Sequence, residues 1–440
     1  MIVANHSRSS GRGRPFSNIE FLYSLRPTNM KLGLENITAV LDYLGNPQKR
    51  FPSVLVAGTN GKGSVSAYLT SILRVAGLKT GTFYSPHLFR INERIQVNGR
   101  EIPSWVLDAY LGELRGIHSD CPFTFFEGVT AAAILHFVES EVDAAVFEVG
   151  LGGRLDATRL VSSILSVITG ISIDHTRHLG STREEILHEK LGVVKKGIPA
   201  VVNLESRPLI SIAREFCGRA GSPIYNADAE AETELKSMRA EKMLFSLKTE
   251  SYDYGDLESR IIGEHQLRNI TTAVRSAEVL SGIMGVDLRR YISDGVGKAF
   301  LPGRFQVLSG RPRIIMDVSH NEQSLLGSIS TLRAVSEPEH NIIVFGCMER
   351  KDLGSFPAKA EGSSRILLLA PLKGSGAAAG EDLAARFDLK GKAAGAAGTA
   401  PLLCAGMREA LELALDSAER DDTLLVLGSH HAVEEALSFL

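Results

Sequence analysis

Cysteine is scarce and scattered. The 440-residue chain holds four, Cys121, Cys217, Cys347 and Cys404, and no two form a CxxC pair. That spacing argues against a zinc ribbon or a disulfide framework and fits a reducing compartment. Long apolar runs are also missing, and none reaches the roughly 18 residues a membrane-spanning helix needs. Nor is there a basic excess. Against 48 Lys and Arg stand 51 Asp and Glu, giving a net charge of −3. No global field therefore recruits nucleic acid or anionic lipid. The opening stretch, Met1 to Arg14, carries arginines and serines without the apolar centre of a secretory signal, and reads as a disordered tail. A cytoplasmic location is expected, with neither nucleic acid nor membrane as a partner. A monomer is expected as well.

Hydrophobic residues make up 44% of the chain and charged residues 22%, the balance of a globular protein too long for one ordinary core. Apolar runs alternate with amphipathic stretches from about residue 34. Val54 to Ala57, Lys79 to Tyr84, Ala144 to Val149, Ile164 to Thr169 and Ala200 to Val202 read as strands. Ser64 to Ala76 and Thr130 to Val138 read as helices between them. This rhythm predicts a parallel sheet covered on both faces. Tyr225 to Ile262 is more polar and reads as an antiparallel excursion, followed by a helix over Leu267 to Leu280. After the Pro302-Gly303 break a second strand series begins at Ile314 to Met316, Ile342 to Phe345, Ile366 to Leu369 and Leu424 to Leu427. Gly374 to Gly398, rich in Gly and Ala, reads as loops around a short helix.

The strongest chemical signal is Gly58-Thr59-Asn60-Gly61-Lys62-Gly63-Ser64, placed between the first strand and its helix. Glycines let a backbone wrap closely around phosphates, with N–H groups pointing inward at a helix N-terminus. Lys62 can neutralise the terminal phosphates of ATP, and Ser64 can touch phosphate or metal. The spacing departs from the common G-x-x-x-x-G-K-[ST], so the alternative is an Asn-Gly turn that happens to hold a lysine. Strand, loop and helix in the right order favour the nucleotide.

ATP chemistry needs Mg²⁺, which takes oxygen ligands and keeps several waters. Ser85, Glu148 and His175 each stand near the end of a predicted strand. In an open parallel sheet such positions converge on the crevice outside the carboxyl ends. A carboxylate inside Val146-Phe147-Glu148-Val149 is costly unless it is paired or binds metal, and a salt bridge to arginine is the plain alternative. Other candidates have ordinary readings of their own. Lys190 reads as a helix-surface lysine, Asn269 as a polar residue at a helix start, and Arg304 as a solvated linker charge. Phe125, Phe126 and Glu127 read as core packing with a first-turn acid.

The separated motifs nevertheless occur in one order. The loop, Ser85-Pro86-His87-Leu88, Asn92-Glu93-Arg94-Ile95, Phe125-Phe126-Glu127, Glu148-Val149-Gly150-Leu151-Gly152-Gly153-Arg154 and Asp174-His175-Thr176 lead the series. With Lys31-Leu32-Gly33-Leu34-Glu35 and Leu44-Gly45-Asn46-Pro47, they resemble the folylpolyglutamate synthase and dihydrofolate synthase family of the Mur ligase superfamily. The similarity runs from about residue 19 to the C-terminus. It implies an α/β fold: a P-loop-containing Mur-ligase-like ATPase domain over 1–304 and a smaller Rossmann-like glutamate ligase domain over 305–440.

The resemblance also implies roles. Ser85, Glu148 and His175 match magnesium ligands, and Lys190 matches a lysine often carbamylated to hold a second Mg²⁺. Phe125, Phe126, Glu127, Leu155, Asp156 and Ala157 match the part that holds the pterin. Asn269 matches an adenine contact, Arg304 an arginine on the phosphates, and Asp317 with His320 and Asn321 further nucleotide contacts. Lys62, His175 and Lys190 are the catalytic set so implied. This chain departs from the family at Arg159, where asparagine is usual, and at Val318, Ser319 and Glu322. Cell-wall Mur ligases usually carry threonine at the position of Gly63.

The expected reaction is ATP-dependent addition of L-glutamate to a folate or dihydropteroate carboxylate through an acyl phosphate. A Mur-type ligase with a different acceptor is one rival. A nucleotide-binding regulatory protein without ligase chemistry is another, and retention of Glu148, His175 and Lys190 speaks against it.

Overall fold

The computed structural model describes residues 17–25, 33–308, 310–349, 351–374, 376–389 and 400–440. The Met1 to Arg14 stretch, Lys31-Leu32 and most of the Gly and Ala-rich segment after Leu389 lie outside the described residues.

Eight strands form the larger sheet. Their spatial order is Arg100–Glu101, Ile95–Val97, Thr80–Phe83, Ala144–Glu148, Ser53–Ala57, Ser163–Ile168, Ala200–Val202 and Ile224–Asn226. From Thr80–Phe83 onward all neighbours are parallel. Central strands such as Ser53–Ala57 and Ala144–Glu148 are buried along their whole length, which is why their sequences run apolar rather than alternating. Helix Lys62–Val75 follows its strand and helix Phe125–Glu139 leads into strand Ala144–Glu148 as the rhythm predicts, the second helix starting earlier than its apolar run because Thr124 and Glu127 form a capping box. The short hairpin Ile95–Val97 and Arg100–Glu101 adds an antiparallel edge that periodicity did not reveal.

The polar stretch divides. Its first residues join the parallel sheet as Ile224–Asn226, and the rest builds an antiparallel sheet of three strands, Ala231–Arg239, Lys242–Thr249 and Asp253–Ser259. Its inner face alternates cleanly, with Met243, Phe245 and Leu247 buried beneath helix Glu264–Met284. That helix buries a charge cluster as well. Glu278 accepts from Thr249 Oγ1 at 2.6 Å, Tyr254 Oη at 2.8 Å and Arg275 Nη1 at 2.8 Å, while Arg275 Nε reaches Glu230 at 2.7 Å. A buried charge is tolerable only when it is paired this completely.

A six-stranded sheet begins at Gln306, in the order Gln306–Leu308, Arg313–Met316, Thr423–Leu427, Asn341–Phe345, Ile366–Leu369 and Leu402–Leu403. Only its first strand runs antiparallel. The apolar core is continuous between the two large sheets. It passes from Val65 and Leu69 through Ile270 and Val274 to Leu325 and Ile329 of helix Glu322–Val335. The carboxyl ends of both parallel sheets can therefore face one crevice. No helix among the described residues is long and apolar enough to cross a membrane.

Candidate active site

Four residues, Gly58 to Gly61, carry the chain from strand Ser53–Ala57 into helix Lys62–Val75. Gly58 has φ +151°, and a Cβ there would lie 1.7 Å from Thr169 Oγ1. Gly61 has φ +86°, and its Cβ would lie 2.2 Å from Asn269 Oδ1. Only glycine meets both conditions. Neighbouring strand ends then fix the loop. Thr59 N donates to Gly170 O at 2.9 Å, Thr59 Oγ1 donates to Ser172 O at 3.1 Å, and Thr169 Oγ1 donates to Asn60 O at 2.6 Å. Gly63 and the buried Ser64 occupy the first helical turn, whose N–H groups and dipole suit an anion. The Lys62 ammonium donates to Gly58 O at 3.2 Å and Thr59 O at 3.1 Å. Burial pushes its pKa down, against the pull of Glu148.

Glu148 ends the neighbouring strand with its carboxylate buried. Burial pushes its pKa up, opposed chiefly by Lys62. Its Oε2 accepts from Ser85 N at 3.1 Å, and a Cβ on Gly63 would approach that oxygen to 3.5 Å. Ser85 Oγ accepts from Arg94 Nη1 at 3.3 Å. The structure thus brings Ser85 and Glu148 together beside the loop. His175, in the left-handed region at φ +52°, lies within electrostatic reach of Lys62 and Lys190. Burial lowers its pKa to about 4, so its ring is neutral at neutral pH, as a metal ligand must be.

Among the described residues no three His, Cys, Asp or Glu side chains form a metal cage by themselves. The two donors that meet beside the loop, the Glu148 carboxylate and the Ser85 hydroxyl, suit an ion that also takes water and phosphate oxygens, as Mg²⁺ does. Lys190 departs from its plain reading as a helix-surface lysine. It points inward from helix Arg183–Leu191, is only 4% exposed, and donates from Nζ to Gly58 O at 2.8 Å. Burial, aided by Lys62, lowers its pKa to about 7.

Asp174 joins the two halves of the crevice. It accepts from Lys351 Nζ at 2.9 Å and Asn321 Nδ2 at 3.3 Å, with His320 Nε2 3.8 Å away. Burial alone would raise its pKa, but His175 and Lys351 outweigh that and hold it well below the usual range. Asn321 Nδ2 also donates to Asn60 Oδ1 at 2.9 Å, and Asn60 Nδ2 donates to Gln323 Oε1 at 2.8 Å. The phosphate loop is therefore hydrogen-bonded to the residues that follow strand Arg313–Met316. Asp174 and Lys351 were not among the site residues read from the sequence, whereas Asn321 was read with Asp317 and His320 as a nucleotide contact. The Asp174-His175-Thr176 motif was the available signal for the first.

Arg304 is half-buried, and among the described residues it makes no hydrogen bond or ion pair. Its charge acts on Lys62, Glu148 and His320 together. Asp317 holds its segment in place. Oδ2 accepts from Phe305 N at 2.8 Å and Oδ1 from Ser319 N at 2.8 Å. Ser319, one of the departures, thereby becomes a partner of Asp317 and also meets Ser328 Oγ at 2.7 Å. Val318 is buried, and its N–H donates to Gly303 O at 2.9 Å. Burial lowers the pKa of His320 to about 4. Asn269 lies against Gly61 and donates to Gln266 Oε1 at 2.8 Å.

The aromatic segment has packing partners of its own. Phe125 lies 5.5 Å from the Tyr23 ring and under the Arg94 guanidinium. Phe126 covers Gly150, where a Cβ would meet its ring at 2.6 Å. Glu127 Oε2 accepts from Thr124 N at 2.7 Å within the capping box. Asp156 is buried and accepts from Leu151 N at 2.9 Å and from Thr158 N at 3.0 Å, which shapes the turn between Leu155 and Ala157. Arg159 donates from Nε to Gly192 O at 2.6 Å, so this departure braces the turn after the Lys190 helix.

A strand–loop–helix phosphate site facing a second α/β unit across a polar crevice defines the Mur ligase class. Two family models match the chain, the Mur ligase middle domain over residues 56–277 and the Mur ligase glutamate ligase domain over 303–430. The dihydrofolate synthase/folylpolyglutamate synthase of Escherichia coli K12 is 32% identical over 427 residues, covering 96% of this chain and 94% of that protein. The structure of E. coli FolC in complex with DHPP and ADP superposes with a TM-score of 0.82 at 30% identity, covering 96% of this chain and 97% of that one. A bifunctional folylpolyglutamate synthase/dihydrofolate synthase solved with Mn, AMPPNP and L-glutamate bound gives a TM-score of 0.82 at 29% identity, covering 96% and 97%. The chain belongs to the folylpolyglutamate synthase/dihydrofolate synthase family.

Proposed function

We propose that this protein is an ATP-dependent ligase that joins L-glutamate to the carboxylate of a folate or a dihydropteroate through an acyl phosphate. The observation that carries the reading is the grouping of Lys62, Glu148 and Arg304 in one electrostatic neighbourhood at the phosphate loop. A relative with ADP and another with Mn, AMPPNP and L-glutamate bound support ATP and a divalent ion as cofactors. The ligase domain boundaries follow as residues 1–304 and 305–440, supported by the six-stranded sheet starting at Gln306.

In the mechanism, loop N–H groups and Lys62 hold the terminal phosphates, and Arg304 presents a guanidinium from the opposite wall. Ser85, Glu148 and His175 would hold Mg²⁺, which offsets charge on the phosphates. Lys190 would hold a second ion if carbamylated. Positioning and charge stabilisation are the work these groups do, since phosphoryl transfer asks little covalent chemistry of a protein. Phe125 and Phe126 provide the apolar faces for the acceptor ring, with Glu127, Leu155, Asp156 and Ala157 around it. Asn269, Asp317 and His320 line the nucleotide, and the Asp174–Lys351 and Asn60–Asn321 contacts close the crevice and keep water from the acyl phosphate. The protein acts as a monomer in the cytoplasm on this reading.

Product mass spectrometry tests it. Dihydropteroate and tetrahydrofolate, each supplied with ATP and L-glutamate, are expected to gain glutamate residues. Gain on neither acceptor would reject the folate substrate.

A further inference from the structure

A cleft of about 600 Å³ opens between the three-stranded sheet and the outer strand of the six-stranded sheet, and apart from Arg304 its lining has no part in the proposed reaction. Five arginines line it, Arg260, Arg304, Arg311, Arg313 and Arg420. Only Arg304 is shared with the nucleotide crevice. From there the cleft follows Gln306–Leu308 back to Arg313, the start of the strand whose other end leads to Asp317. Four strand residues at about 3.3 Å each put the far end roughly 13 Å from the nucleotide side.

The cationic groups are poorly compensated from within. Arg260, Arg304 and Arg420 make no hydrogen bond or ion pair among the described residues. Arg311 reaches Asp421 only at 4.0 Å, and Arg313 reaches Glu241 only at 4.0 Å while donating to the neutral Thr423 Oγ1 at 3.3 Å. The third carboxylate of the lining, Asp422, is already engaged by Arg365 and by His340. Five guanidinium groups thus face two weakly held acids. Between them the floor is apolar, made by Ile261, Leu301 and Val307, with Phe300 at the rim and 61% exposed. The volume falls in the range of small-molecule sites.

Guanidinium forks bind carboxylates and phosphates bidentately, and spaced forks over an apolar floor suit anions joined by short hydrocarbon spacers. We infer that this cleft binds an oligoglutamate chain, whose free carboxylates are separated by short hydrocarbon spacers. The inference rests on the ligase reading for the source of such a chain. Each glutamate added leaves one further free carboxylate on the product, so repeated turnover makes that chemistry, and Arg304 links the cleft to the place where it is made.

Binding tests this without turnover, so its outcome is separable from that of the product analysis. Tri-γ-glutamate is titrated calorimetrically into the full chain with the nucleotide site filled by AMPPNP, and inorganic triphosphate is titrated in parallel. One equivalent of the peptide is expected to bind, with affinity reduced at least tenfold in Arg260→Gln and again in Arg420→Gln. Both residues are exposed, and each variant is checked for an unchanged melting temperature. Absence of peptide binding, affinity indifferent to both substitutions, or tighter binding of triphosphate than of the peptide would each overturn the assignment.

Discussion

Lys190 Nζ donates to the carbonyl of Gly58, the first residue of the phosphate loop, at 2.8 Å. A lysine near the end of helix Arg183–Leu191 is thus buried against the loop rather than extended into water. Its folded pKa is about 7, against an ordinary value near 10.5. The folded state then binds fewer protons than the unfolded state between those two values, so this group makes stability rise with pH across that window. Below about pH 7 its burial cost is felt in full. Lys190→Met is therefore expected to raise the melting temperature, and by more at pH 6 than at pH 9. Thermal melts of the metal-free protein in bicarbonate-free buffer provide the check, and an equal effect at both pH values would contradict the buried-cation argument.

The same lowered pKa leaves a neutral amine available near pH 7, the form that reacts with carbon dioxide. If Lys190 works as a carbamate, Lys190→Ala loses activity on the order of 10²-fold or more, the scale of removing one charge-stabilising group. Short carboxylic acids are expected to restore part of it by supplying the missing oxygens. Unaltered steady-state kinetics would return Lys190 to a structural role.

Lys62 is the long-reach cation of the loop, and its ammonium lies on the carbonyls of Gly58 and Thr59. Lys62→Ala is expected to lower kcat on the order of 10² to 10³-fold with the circular dichroism spectrum retained. A folded variant with near-normal turnover would remove the phosphate-loop assignment.

The strands and the loop were legible because their signals are local. Apolar runs bounded by glycine marked the parallel strands, and Gly58 to Ser64 showed its place between strand and helix. The sequence could not disclose what distant segments do to one another. Lys190 looked exposed because its helix is strongly charged, but in the fold its ammonium is buried against the Gly58 carbonyl. Asp174 drew no attention by itself, since its partners Asn321 and Lys351 lie on the other side of the crevice. Glu127 and Asp156 could be named as acids, but not that a capping box and a turn hold their oxygens.

Glu278 supplies a contrast between stability and catalysis. It sits in the charge cluster with Arg275, Thr249 and Tyr254, on the helix that backs the three-stranded sheet. Removing Glu278 leaves the buried Arg275 with Glu230 alone and two hydroxyls without their acceptor, at a cost of about 3 kcal/mol, the low end for breaking a buried pair. Glu278→Ala is expected to lose about that much in urea unfolding while the folded fraction keeps its kcat. A loss of turnover without a loss of stability would place this cluster in the reaction instead.

The final prediction concerns the intermediate. An amide does not form readily from a free carboxylate, because the leaving group would be oxide or hydroxide. ATP removes that obstacle if a carboxylate oxygen attacks the γ-phosphorus and later departs as part of inorganic phosphate. The pairing of Ser85 with Glu148, next to Lys62 and across from Arg304, concentrates charge-stabilising groups where the terminal phosphate of a loop-bound nucleotide would lie. An acceptor labelled with oxygen-18 in its reacting carboxylate should therefore transfer one labelled oxygen to phosphate with each amide formed, read by mass spectrometry. Label in AMP would mean that the carboxylate attacked the α-phosphorus, and the loop would then hold the nucleotide in a different register. Label in neither product, with ATP still consumed, would mean that hydrolysis runs uncoupled from ligation and that the acceptor never meets the phosphate bound at Lys62.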